Sequence, residues 1–159
     1  MRRDLIALPD SSRVWVYQSD KVMDESTTES LMSKLYDFTM TWASHGNELD
    51  AYATVFHYIF IVLVADPKRL PSGCSIDASV HMIEDLGQTH NINFMDRMQF
   101  AYLRDDVVHT IHSNEMSEAY KNNLINGETL FFDNLVDTKE ALIDRWLVPL
   151  NESWHSRFL

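Results

Sequence analysis

The residue with the most chemistry to offer is the one thiol, Cys74, in the stretch SGCSID. It falls between a loop and a helical pattern. A thiol near a helix N-terminus feels the positive end of the helix dipole and unpaired amides, both of which favour thiolate. Gly73 permits a tight turn there, and Ser72, Ser75 and Asp77 supply polar neighbours, with Asp77 opposing thiolate formation. A nucleophile needs a base, and His45, His57 and His81 are available. The catalytic candidates are therefore Cys74, His45 and His81, and the ligand-binding candidates are Ser72, Gly73, Cys74, Ser75 and Asp77. Phosphate or carboxylate binding at the same terminus is a milder form of the idea. The commoner role of an isolated cysteine is a small buried residue in a tight turn, and that is the favoured expectation.

Other residue groupings carry less. His109 and His112 are three apart, which on a strand puts them on opposite faces. His81 and Asp85 form an i,i+4 pair that reads as a solvated polar face, and neither HExxH nor CxxC occurs. No metal and no cofactor is implied. Asp96-Arg97 reads as an ion pair or a turn. Asp133-Asn134 follows Phe131-Phe132; the two could point into a cleft or serve as turn-forming residues.

The elements that must position these residues begin with RVWVY, 13 to 17, an alternating aromatic and β-branched strand. Ser26-Thr27-Thr28-Glu29 reads as a capping box opening a helix whose apolar stripe is Leu31, Leu35, Phe38 and Trp42, ending near His45-Gly46. Strands are expected at 54 to 58 and, as an unbroken apolar run buried on both faces, at 60 to 64. Asp66-Pro67 ends that run, and a polar loop covers 68 to 73. A second helix spans 75 to 88, with Gly87 near its end. Strands at 98 to 103 and 107 to 111 form a hairpin about Arg104-Asp105-Asp106. Asn114 caps a third helix, 115 to 125, and the last strand is 129 to 132. Asp137-Thr138-Lys139-Glu140 is a second capping box, before a fourth helix. The tail SWHSRFL is too aromatic to hang free. Hairpins among interleaved helices imply an α+β fold, with a mixed or mainly antiparallel sheet and about four helices largely on one face.

A chain of 159 residues is expected to form a single domain over its whole length. A single cysteine, no signal-like segment and no apolar run of membrane-spanning length point to the cytoplasm. The net charge of −11, without a basic patch, argues against nucleic acid as a partner. Trp154 and Phe158 could cover a subunit interface, since aromatics are enriched there.

At WASHGNELDA, SGCSIDASV, FFDNLV and SWHSRFL the chain resembles a family of short uncharacterised bacterial proteins sometimes labelled ABC transporter ATPases, over nearly its whole length. The resemblance brings no catalytic residues. ATP hydrolysis would need a glycine-rich loop ending in Lys and Ser or Thr, yet none of Gly46, Gly73, Gly87 and Gly127 is followed by lysine. The expectation is a non-enzymatic protein-interaction or homodimeric domain; the alternative is a small-molecule-binding protein or enzyme using the Cys74 loop.

Overall fold

The computed structural model describes residues 1–69 and 71–159; Leu70, inside the expected loop 68 to 73, lies outside the described residues. The fold is α+β. The apolar run is the centre strand of the first sheet: β1 (Arg13–Gln18), β4 (Ala51–Phe56) and β5 (Phe60–Ala65), all antiparallel and ordered β1-β5-β4. Every residue of β5 is buried. Its alternate side chains serve two cores, as a strand's period of two requires. Phe60, Val62 and Val64 join Leu8, Val14 and Val16 on one face. Ile61 and Leu63 join Leu31, Leu35, Ile83 and Leu86 on the other. These last four come from the long helices α1 (Glu25–Thr41) and α2 (Gly73–His90), which share that face.

The opposite face of the first sheet meets a second antiparallel sheet, β7 (Val107–His112), β6 (Gln99–Arg104), β8 (Leu130–Phe132) and β9 (Leu147–Pro149), in that order. Ala101 and Phe132 enter the shared core between the sheets. Phe100, Tyr102, Ile111 and Phe131 face away, against α3 (Met116–Lys121) and the chain end. The helix α4 (Lys139–Arg145) closes the shared core with Leu142.

Several boundaries differ from those expected. Asp24, not Ser26, caps α1, its carboxylate accepting the Thr27 amide at 2.7 Å. The helix ends at Thr41 because Trp42 leaves it to become buried, its indole donating to the Ser75 carbonyl at 2.8 Å. His45-Gly46 is instead the turn of a two-residue-strand hairpin, β2 (Ala43–Ser44) and β3 (Asn47–Glu48), with φ of 50° and 77°. The bend between 58 and 60 is the loop 57 to 59, with His57 and Tyr58 in the left-handed region. His112, not Asn114, caps the turn before α3, which stops at Lys121 rather than 125. Thr138 caps α4 in place of Asp137, accepting the Ala141 amide at 3.1 Å. β8 is not the last strand, since β9 pairs with it.

Gly87 does not end α2, which runs on to a left-handed Asn91. It lets the Ile92 backbone approach, because a Cβ there would stand 2.6 Å from the Ile92 carbonyl oxygen. Gly87→Ala is expected to destabilise the protein by roughly 1–3 kcal/mol, as overpacking does; urea denaturation measures it, and an unchanged midpoint contradicts the close approach.

Candidate functional site

The end of the fold that carries Cys74 is held by hydrogen bonds within the chain. Ser72 caps α2, its hydroxyl accepting the Ser75 amide at 3.2 Å, while the Ser75 hydroxyl donates back to the Ser72 carbonyl at 2.8 Å. Ser75 is buried, and its own carbonyl is taken by Trp42. The Ser72 amide donates to the Ser44 hydroxyl at 3.1 Å, tying the helix start to the small hairpin. Cys74 lies inside the first turn of α2 and is exposed, which corrects the expectation of a buried cysteine. It is exposed because the buried stripe of α2 runs through Ser75, Ser79, Ile83 and Leu86 instead. Gly73 and Asp77 are exposed beside it.

The histidines do not gather there. His81 is seven residues along α2, about 10 Å of helix rise from Cys74, and its Nδ1 faces Glu84 at 3.4 Å. His57 occupies the far turn of the β4–β5 hairpin, against Phe60, Phe132 and Trp146. His45 is exposed on the turn of the small hairpin. Among the described residues no three His, Cys, Asp or Glu side chains are placed to hold a metal ion, and no helix is long and apolar enough to cross a membrane.

Convergent polar groups occur elsewhere, in a cleft of about 220 Å³ where the end of β1, the start of β6 and the chain end meet. Its walls are mostly apolar: Val16, Tyr17, Phe94, Phe100 and Trp154, with Met98 and Leu135 exposed at the rim. Gln18, Asn134 and His155 supply polar groups to the wall, and Asp96, Arg97 and Arg157 the charges.

Hydrogen bonding orients the amides of this cleft. The Trp146 indole can only donate, and it donates to Asn134 Oδ1 at 3.1 Å. That turns the Asn134 NH2 group outward, where it donates to Gln18 Oε1 at 2.9 Å. Gln18 thus spends its only side-chain acceptor on Asn134, and its Nε2 is left over. Gln18 is 6% exposed, and Nε2 is a buried donor with no hydrogen-bond partner among the described residues. Leaving such a group unsatisfied costs about 1–3 kcal/mol.

His155 is 1% exposed. Its ring stacks on Trp154 with centroids 4.1 Å apart and meets Phe100 at 4.7 Å. Ser153 Oγ is hydrogen-bonded to its Nδ1. Burial pushes its pKa down to about 4, against a smaller opposing pull from Asp133. The imidazole is therefore neutral at pH 7. Ser153 does not line the cleft, so the Ser-His pair fixes the ring's orientation and does not present a nucleophile. Asp133 accepts the Trp154 indole at 2.9 Å and the Leu135 amide at 3.0 Å. The two alternatives for Asp133-Asn134 divide between the residues: Asn134 lines the cleft, whereas Asp133 makes the turn bond to Leu135 and holds Trp154.

Gln18 and His155 had no distinguishing signal in the sequence. The only one was Asp133-Asn134 after an aromatic pair. A larger, more open groove of about 430 Å³ runs along α2 past Glu84, Gln88 and Asn93, where the Asp20 and Asn93 side-chain oxygens accept the backbone amides of Asn93 and Met95. Comparison with family models, curated proteins and solved structures finds no match.

Proposed function

We propose that this protein binds a small molecule, without covalent chemistry, in the cleft where the two sheets and the chain end meet. The observation that carries the proposal is Gln18, which lines the cleft and whose buried Nε2 a hydrogen-bond relay leaves without an acceptor among the described residues. Its support is also compositional, since ligand sites are mostly apolar with a few placed polar groups. At about 220 Å³ the cleft is smaller than the roughly 300–1,000 Å³ typical of drug-sized ligands. It suits a molecule of one or two rings with an acceptor oxygen. The ligand-binding alternative thereby moves from the Cys74 loop to this cleft.

One of the supports for a homodimeric or protein-interaction role, the aromatic chain end, is weaker, because Trp154 and Phe158 pack on Phe100 within the chain. The test is a saturation-transfer NMR screen of one- and two-ring fragments carrying a carbonyl. Hits are expected, with affinity at least tenfold weaker in Gln18→Leu, a loss of the size of one buried hydrogen bond. A screen without hits, or hits that Gln18→Leu binds equally well, overturns the proposal.

A further inference from the structure

We propose that the ligand of this cleft is a flat aromatic carboxylate, an inference that rests on the cleft being a ligand site. On a chain of net charge −11 the cleft carries two arginines, Arg97 and Arg157, against one carboxylate, Asp96. Asp96 is already engaged, accepting the Met98 amide at 2.9 Å and lying 3.7 Å from His112 Nε2. Neither arginine has a carboxylate partner among the described residues. Each guanidinium instead lies over a ring of the cleft wall: Arg97 over Tyr17 at 5.9 Å to the centroid, and Arg157 over Trp154 at 5.6 Å. Arg157 donates its Nε–H to the Trp154 carbonyl at 3.2 Å, which leaves its terminal NH2 groups, together with the Arg97 guanidinium, to meet a planar anion.

The remaining features select the rest of the molecule. Phe94, Phe100 and Trp154 line the wall, and an aromatic wall favours offset or edge-on packing against another ring. Gln18 Nε2 is a neutral donor group, suited to a carboxylate oxygen, with the arginines balancing the charge. The small volume excludes a nucleotide, and the ring-lined wall suits an aromatic acid better than inorganic phosphate.

The experiment is calorimetric titration of benzoate and 2-naphthoate, each against its own carboxamide, into the whole protein. The carboxylate of at least one pair is expected to bind tenfold or more tighter than its amide. That excess, read as the ratio of carboxylate to amide affinity within each protein, should vanish in the Arg97→Gln/Arg157→Gln double variant, and a ratio that stays tenfold or more overturns the role of the arginines. Both substitutions are at exposed positions, and circular dichroism checks that the fold persists. Amides binding as tightly as carboxylates overturn the anion preference and leave the cleft as a ligand site. Failure of all four probes to bind overturns the aromatic-carboxylate assignment, and the cleft itself falls if the broader carbonyl screen is also empty or its hits bind Gln18→Leu equally well.

Discussion

Phe60→Ala is expected to destabilise the protein by about 3–5 kcal/mol, the usual range for removing a buried phenylalanine. Phe60 is fully buried at the start of the centre strand. Its ring meets Phe132 of the second sheet at 4.8 Å and Trp146 at 4.9 Å. The substitution removes the ring that joins the two sheets, and the cavity left between them has little freedom to collapse because both walls are strands. It should also weaken ligand binding, since Trp146 holds Asn134, which orients Gln18, and Gln18 pairs with Phe60 in register. Ile61→Val, on the helix-facing side of the same strand, should cost only about 0.5–1.5 kcal/mol and leave binding unchanged. Urea denaturation with an unchanged slope measures both. A loss below about 1 kcal/mol for Phe60→Ala would contradict the packing of the sheets through this ring.

The second large effect is a pH dependence centred on His155. The unfolded chain's imidazole protonates near 6.5, whereas the folded one, buried among rings, protonates only near 4. A depressed folded value means that the unfolded state binds the proton first as pH falls. The stability tied to the neutral ring is therefore fully present above about pH 6.5 and is lost on acidification toward pH 4. At 1.36 kcal/mol per pH unit the loss is of order 3 kcal/mol. Other groups also titrate on acidification, so the informative quantity is the stability difference between the native sequence and His155→Phe, which keeps a ring against Phe100 and Trp154. That difference should shift in favour of the phenylalanine variant by about 3 kcal/mol between pH 7 and pH 4. A difference constant with pH would mean that the imidazole is not desolvated in the folded state.

The sequence was most legible where one local rule decided the outcome. The run from Phe60 to Val64 had to be a strand buried on both faces, and the Asp105-Asp106 tip had to turn a hairpin. Helix starts were misplaced by one or two residues because several side chains in each stretch could cap. Asp24 and Thr138 took the role for which Ser26 and Asp137 also qualified. β9 escaped notice because three residues ending in proline carry almost no strand signal. Trp42 sat on the helical stripe by periodicity, yet its bond to Ser75, 33 residues away, drew it out of the helix. The Cys74 stretch was correctly placed at a helix N-terminus, but its exposure depended on which face of α2 met the sheet. The cleft was the least legible feature. Its central bond joins Gln18 to Asn134 across 116 residues, and an unpaired amide is defined only once every neighbour is in place.

The most direct test of a ligand-binding cleft at Gln18 is a ¹H–¹⁵N correlation spectrum of the side-chain amides, recorded while a fragment hit is added. The resonance pair of Gln18 should move and saturate with the fragment, because its Nε2 gains an acceptor. If the Gln18 pair stays fixed while shifts gather along α2 or around Cys74, ligand binding belongs to another part of the molecule and the cleft has no such role.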